Sequence, residues 1–151
     1  MITQHILVPI DFSAYANQAL ENAIELAKAL RARLTLLHVV DTMSWGVAQA
    51  QAAIPPSVWQ DLETSLAERM ETSRKRVQAA GLQVETLILH GAPSQTIIDT
   101  AQDKGADLIV MGTHGRTRLT HALVGSVAEK VVRLAPCPVW VARGTPETSS
   151  A

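Results

Sequence analysis

A glycine-rich segment late in the sequence carries the residue types that could bind a ligand. Gly112-Thr113-His114-Gly115 is followed, after nine residues, by Gly125-Ser126. Glycine has no Cβ, so a ligand can approach its backbone closely. Consecutive backbone N–H groups in such a segment can form a concavity that binds anions. The spacing therefore predicts a site for a negatively charged ligand.

The position of Gly125-Ser126 narrows that ligand to a phosphate. The pair stands where an apolar pattern at helical spacing begins, and a helix offers free N–H groups and the positive end of its dipole there. The Ser126 hydroxyl adds one donor. The sequence contains neither a G-x-x-x-x-G-K-[ST] motif nor a G-x-G-x-x-G motif. We therefore expect a polyphosphate to be held without a Walker lysine.

Asp11 is the second candidate for chemistry, because Pro9-Ile10-Asp11 comes at the end of an apolar run. Its carboxylate is a polar group suited to contact a ligand at that strand end. A competing interpretation is that Asp11 only caps the first helix, next to the predicted N-cap Ser13. His114 and Arg116 could contact phosphate, or they could be solvated side chains of a polar loop.

The elements that must position these residues alternate between two hydrophobic periods. Apolar, β-branched runs predict strands over 6–10, 34–40, 82–90, 107–111 and 138–142. Patterns at helical spacing stand between them, which predicts an α/β fold with a parallel sheet and helices on both faces. In such a sheet ligands bind beyond the carboxyl ends of the strands, where the strand order reverses. Asp11 and Gly112 both follow such ends.

Two helices have predicted buried faces, and one connection has no clear period. The second helix should bury Val58, Leu62, Leu66, Met70 and Val77, and the last helix Val124, Val127, Ala128, Val131 and Val132. Residues 41–56, which include Trp45, should form a long irregular connection.

Composition limits the class of protein. The 151 residues fit one domain, and 47% hydrophobic with 18% charged residues is typical of a globular chain. A net charge of −1 argues against a nucleic-acid partner, which normally meets a basic surface. No apolar stretch approaches the length of a membrane span. Cys137 is the only cysteine, so a cytoplasmic, reducing setting is expected.

Prolines flank the last predicted strand on its amino-terminal side. Proline is tolerated in sheets mainly at an edge or at the first residue of a strand, and Cys137 lies between Pro136 and Pro138. An edge strand is therefore predicted. Exposed apolar edges are usually paired or covered, so we expect Pro138, Val139, Trp140 and Val141 to pair with their copy in a homodimer.

Longer stretches of sequence resemble the universal stress protein family. These stretches are Ile6–Ser13, Leu36–Asp41, Met111–Arg116, Val124–Glu129 and Ala135–Val139. The G-x2-G-x9-G-[ST] spacing is similar to that of the family's ATP-binding branch. The resemblance implies one doubly wound domain over residues 1–143, a sheet of order 3-2-1-4-5 and a flexible tail over 144–151. Arg118 departs from the pattern, since many members have a small residue there.

The resemblance also implies roles for single residues toward ATP. Pro9 and Asp11 would lie along the nucleoside, with Asp11 close to adenine or ribose, and Val39 would pack on the adenine. Met111, Gly112 and Gly115 would hold the ribose and inner phosphates, and Gly125, Ser126 and Val127 the outer phosphates. Ile10, Thr113, His114 and Arg116 are further predicted residues of this site, and Asp11 is the candidate ligand of a Mg2+ ion that accompanies the ATP.

Several functions fit these residues. The first is an ATP-binding module of stress response or signalling, with slow or no hydrolysis, because no assembled set of base, cations and metal ligands accompanies Asp11 and Arg116. The second is an ATPase or a nucleotidyl-transfer enzyme on the same scaffold. A dimeric interaction module without a nucleotide, a nucleic-acid module with a GXXG loop and a flavodoxin-like carrier are further alternatives.

Overall fold

The computed structural model describes residues 2–43, 49, 52–113 and 124–143. Five parallel strands form one sheet of order β3-β2-β1-β4-β5, as predicted. The strands are β1 His5–Pro9, β2 Arg33–Asp41, β3 Val84–Gly91, β4 Leu108–Gly112 and β5 Val139–Ala142. The helices are α1 Ala14–Leu30, α2 Pro56–Ala79, α3 Pro93–Lys104 and α4 Ser126–Leu134.

Alternate residues of the strands feed two separate cores, one on each face of the sheet. Ile6 and Val8 of β1 pack with α1 and α2. Leu7, between them in sequence, packs on the other face with α3 and α4. Strand side chains point to opposite faces in turn, so a sheet covered on both sides requires continuous apolar strands. The prediction of helices on both faces is confirmed.

The ends of the helices follow local chemistry. Ser13 is the N-cap of α1, and its side chain accepts a hydrogen bond from the Ala16 amide at 3.2 Å, as expected for a capping serine. Pro93 stands in the first turn of α3, and Gly105 ends that helix in a left-handed conformation. The predicted N-cap Ser13 is confirmed.

Some predicted boundaries and buried positions are wrong. Ile10 lies beyond β1, and Pro138 lies before β5, although the Pro138 carbonyl accepts a hydrogen bond from the Ile109 amide at 3.0 Å. Val124 precedes α4 and is exposed, and Val132, which lies within α4, is also exposed. In the connection predicted to be irregular, Gln49, Ala52 and Ala53 are helical.

The amino-terminal part of α2 corrects another prediction. Val58 and Leu62 are exposed, whereas Leu66, Met70 and Val77 are buried as expected. A helix of 24 residues is about 36 Å long, and the eight-residue strand β3 spans only about 26 Å. The helix therefore extends past the sheet, and its first turns project beyond the carboxyl ends of the strands.

A polar network lies at the opposite, amino end of the sheet. His5 is 2% exposed; its Nδ1 donates to the Lys104 carbonyl at 3.2 Å, and its Nε2 forms a hydrogen bond with the Thr35 hydroxyl at 2.7 Å. Asp107 accepts from the Gln4 and His5 amides at 2.9 and 3.0 Å. Burial, with a smaller contribution from Arg33, lowers the pKa of His5 below its ordinary value. The two hydrogen bonds of the His5 ring join β1 to α3 and to β2.

The lowered pKa of His5 makes the stability of the fold depend on pH. The unfolded chain regains the ordinary His5 pKa of 6.5 and binds more protons than the folded chain just below that pH. The contribution of neutral His5 is therefore complete above pH 6.5 and decreases as the pH falls toward the folded-state pKa, with a slope of at most about 1.4 kcal/mol per pH unit. Urea unfolding at a series of pH values measures this slope.

His5→Gln is the matched control, because it keeps a polar side chain that does not titrate. We expect the difference in unfolding free energy between the two proteins to be constant above pH 6.5 and to shrink below it. Parallel pH profiles for the two proteins would contradict this account.

Within the described part of the chain, no helix combines the length and apolar character needed to cross a membrane.

Candidate functional site

A cavity of about 480 Å³ opens at the carboxyl ends of β1, β2 and β4, the place where the strand order reverses. Its size is within the usual range for small-molecule sites. Residues predicted from the sequence that line it are Pro9, Ile10, Asp11, Val39, Met111, Gly112, Thr113, Gly125, Ser126 and Val127. The structure thus brings the two candidate segments, around Asp11 and around Gly112, to one cavity.

His114, Gly115 and Arg116 were also predicted for the site and lie outside the described residues, as do Arg118, Trp45 and the tail. Their predicted roles remain predictions.

The turn between β1 and α1 forms one wall of the cavity. Asp11 Oδ1 accepts a hydrogen bond from the Ser13 amide at 2.9 Å, and Ser13 in turn caps α1. Asp11 therefore supports the start of the helix and also lines the cavity. The two interpretations of Asp11 offered by the sequence do not exclude each other.

His38 of β2 stabilises the same turn through a hydrogen bond. It is buried, and its Nδ1 donates to the Ile10 carbonyl at 2.7 Å, which places a proton on Nδ1. The Ile10 amide donates to the Leu37 carbonyl at 2.7 Å, so the chain beyond β1 remains tied to β2. The ring of His38 lies 4.9 Å from that of Phe12. His38 is thus packed against the turn and also lines the cavity.

The wall opposite is built from the end of β4 and the beginning of α4. The Gly125 amide donates to the Thr113 carbonyl at 2.7 Å, which joins the end of β4 to the beginning of α4. Gly125 is the N-cap of α4, and its carbonyl accepts from the Glu129 amide at 2.9 Å. The Gly125 amide is thus engaged within the protein, so the donors available to a ligand begin one residue later.

Those donors are the amides of Ser126, Val127 and Ala128. Helix geometry gives the N–H groups of the first turn no partner within the helix. The N-cap is glycine, and α4 has no side-chain capping bond. All three residues line the cavity. The beginning of α4 therefore presents three amide donors at the cavity, at the place where the sequence predicts a phosphate site.

Gly112 has a structural reason to be glycine. A Cβ at this position would lie 2.9 Å from the carbonyl carbon and the Cβ of Tyr15, and 3.0 Å from its carbonyl oxygen. The end of β4 is therefore packed directly against the first turn of α1. This contact places the end of β4, on one wall of the cavity, directly beside the start of α1, on the opposite wall.

Sequence reasoning missed several residues of the cavity. They are Ala16, Leu37, His38, Val40, Asp41, Leu62, Leu66, Pro93, Ile97 and Ala128. Asp41 could have been found, because it ends β2 just as Asp11 follows β1. Leu62 could not, since nothing in a helical pattern says that the helix extends beyond its sheet.

The described lining of the cavity combines many apolar side chains with few charged groups. Most of the lining is apolar, and its charged groups among the described residues are the carboxylates of Asp11 and Asp41. No group of three or more His, Cys, Asp or Glu side chains in the described ranges could hold a metal ion. The described part of the site supplies an apolar pocket, amide donors and at most one carboxylate at each of two strand ends.

The approach of Gly112 to Tyr15 predicts the result of adding one methyl group. Gly112→Ala should lower the free energy of unfolding by about 1–3 kcal/mol, because backbone atoms rather than a flexible side chain meet the new Cβ. Chemical denaturation measures the loss.

Gly105→Asn is the control for this variant. Gly105 has a φ of +63°, which asparagine tolerates, and no atom lies within 4 Å of a Cβ built there. Its loss should stay below about 1 kcal/mol. Equal losses in the two variants would show that the contact with Tyr15 is not what requires glycine at 112.

Comparison with known proteins agrees with the fold. The sequence profile described as "Universal stress protein family" matches residues 3–143. Universal stress protein MJ0531 of Methanocaldococcus jannaschii is 35% identical over 142 residues, covering 91% of this chain and 81% of that protein. The solved structure of MJ0577 from the same organism has a TM-score of 0.84 at 30% identity, covering 97% of this chain and 100% of the other. The chain belongs to the universal stress protein family.

Two more distant solved structures are complexes. A universal stress protein in complex with cAMP has a TM-score of 0.72 at 23% identity, covering 96% of this chain and 100% of the other. One from Archaeoglobus fulgidus in complex with dAMP has a TM-score of 0.65, also at 23% identity, covering 93% and 98%. At this identity the likeness shows the fold.

Proposed function

We propose that the protein binds ATP in the cavity at the carboxyl end of its sheet and acts as a nucleotide-binding module of stress response or signalling. The observation that carries this proposal is the set of amides at Ser126, Val127 and Ala128, which have no partner within α4 and line the cavity. Such donors, together with the helix dipole, favour a phosphate.

The lining of the cavity offers different surfaces to the two halves of a nucleotide. Pro9, Ile10 and Val39 offer an apolar surface for a base, and Asp11 offers a carboxylate to ribose hydroxyls or base amines. The phosphates would extend toward the first turn of α4. The cAMP and dAMP complexes of proteins with this fold support an adenine nucleotide by analogy.

A magnesium ion would bind at this site only together with the phosphates of the nucleotide. Mg2+ keeps several waters and is commonly held by one or two carboxylates together with substrate phosphates. Asp11 would supply that carboxylate. The ion would neutralise phosphate charge when bound, whereas the α4 amides hold the phosphates by their own hydrogen bonds.

Hydrolysis on this site would be slow or absent. Rapid phosphoryl transfer needs a group that orients the attacking water and cations that stabilise the transferring phosphate. Among the described residues of the cavity, none is lysine or arginine, and Asp11 is already bonded to the Ser13 amide. We therefore propose a binding function in preference to an ATPase.

Replacing Ser126 by proline tests the role of the α4 amides. Proline is tolerated at the first position of a helix, where its missing N–H has no helical partner. The preceding residue, Gly125, has φ −59° and ψ 156°, which suits a residue before proline. Ser126→Pro should weaken ATP binding about tenfold or more and leave adenosine binding unchanged. Isothermal titration calorimetry with both ligands measures this, and chromatography afterwards should find the ATP intact.

Ser126→Ala separates the hydroxyl from the amide. It should weaken ATP binding only a few fold, about the effect of one neutral hydrogen bond. If Ser126→Pro binds ATP as the wild type does, the phosphates are not held at α4. If the wild type binds neither ATP nor adenosine, the proposed function itself is wrong.

We also propose that the protein is a homodimer through β5. This strand is at the edge of the sheet, and Trp140 on it is 47% exposed. The Pro138 carbonyl bonds to Ile109 of β4. Because backbone groups of a strand point alternately to either side, the Val139 and Val141 amides point away from β4 and are available to a second copy.

Val141→Pro removes one of these outward amides and leaves the pairing with β4 in place, since proline is tolerated on edge strands. Light scattering after size exclusion should give a dimer mass for the wild type and a monomer mass for the variant at equal concentration. A wild-type mass that stays monomeric at every concentration would rule the dimer out.

A further inference from the structure

The turn between β1 and α1 is held in an unfavourable backbone conformation. Phe12 has a φ of 64°, in the left-handed region that bulky residues rarely adopt. Among the described residues, Arg31 is the only other non-glycine residue with a positive φ, at 56°. Arg31 ends α1, where the left-handed conformation is usual. Phe12 precedes a helix, so helix termination does not account for its conformation.

The ring of Phe12 is held by two neighbours from different elements. The His38 ring of β2 lies 4.9 Å away at an interplanar angle of 35°, and the Arg69 guanidinium of α2 lies 5.7 Å from the ring centroid. His38 cannot shift freely, because it is buried and donates to the Ile10 carbonyl at 2.7 Å. Cation–π attraction and ring packing therefore act on the one residue of the turn whose backbone is strained.

Phe12 does not line the cavity, whereas its neighbour Asp11 does. A strained conformation persists only where the surroundings determine it, and such sites often serve function. We propose that Phe12 is a positioning residue of the nucleotide site: the stack of Arg69, Phe12 and His38 holds the turn after β1 so that the Asp11 carboxylate faces the ligand. This inference rests on the proposed nucleotide-binding function.

The stack also ties α2 to the ligand. Leu62 and Leu66 of α2 line the cavity, and Arg69 follows Leu66 by about one turn and Leu62 by about two turns of the same helix. The part of α2 that lines the cavity and the position of Asp11 are thus linked through the contact of Arg69 with Phe12. Arg69 is exposed and outside the cavity, yet nucleotide affinity depends on it.

Phe12→Gly tests this role, because glycine adopts the left-handed conformation without strain but loses the stack. We expect the affinity for ATP and for adenosine to fall together, by about tenfold. Asp11 faces the nucleoside, so the loss is shared by both ligands, unlike the phosphate-specific loss of Ser126→Pro. Calorimetric dissociation constants and the thermal midpoint are measured on the same samples.

Arg31→Gly is the matched control, since it relieves a similar conformation at the far end of α1. It should leave both affinities unchanged. Arg69→Met keeps an apolar stem and removes the cation; it should weaken both ligands about threefold, while Lys75→Met on the same helix should change neither. Arg69→Met changes an exposed residue, so it remains informative if Phe12→Gly does not fold.

The outcomes separate this inference from the proposed function. Wild-type affinity in Phe12→Gly or Arg69→Met, with or without a lower thermal midpoint, would show that the stack is only structural, and nucleotide binding would stand. A wild type that binds neither ligand would remove the proposed function and this inference together.

Discussion

The pairing of β1 with β4 is the contact on which the site depends. The two strands are far apart in the chain, yet Ile6 lies beside Leu108 and Leu7 beside Ile109 in one parallel ladder. On one side of this pair the chain continues outward through β2 and β3, and on the other through β5. The helices that follow β1 and β4 therefore leave on opposite faces, and a gap between them is unavoidable. The cavity is that gap.

Close backbone contact shapes the gap. Gly112 at the end of β4 touches the first turn of α1, and the Thr113 carbonyl then takes the Gly125 amide. The end of β4 thus contacts α1 at Gly112, and the next residue is hydrogen-bonded to the start of α4. A larger residue at 112 would move the end of β4 away from α1. Glycine is required here by the protein's own packing, in addition to whatever a ligand requires.

Most of the fold could be predicted because its signals are local and repeated. Buried parallel strands read as continuous apolar runs, and Ser13, Pro93 and Gly105 mark helix ends through their own backbone chemistry. The strand order followed from family resemblance and is confirmed. The exposure of Val58 and Val132 could not be predicted, because a helical period shows which residues share a face but not where the covering sheet ends.

The site, like the fold, could be predicted from the sequence only in part. Glycine and serine at fixed spacing after a strand identified the wall at β4 and α4. The engagement of the Gly125 amide by Thr113 was not foreseeable, since it depends on how close the two ends of the connecting segment come. The stack of Arg69, Phe12 and His38 joins three elements distant in sequence, and no short pattern could show it. Contacts of this kind arise only once the sheet has assembled.

The bond between the Gly125 amide and the Thr113 carbonyl joins the end of β4 to the first turn of α4 at 2.7 Å. The entropic cost of bringing two points of a chain together grows only logarithmically with their separation, by about 0.6 kcal/mol for each doubling. The distance between β4 and the α4 amides is therefore determined by this bond more than by the number of residues that separate Thr113 from Gly125. Insertions and deletions between these two residues should be tolerated while the amides of α4 keep their position.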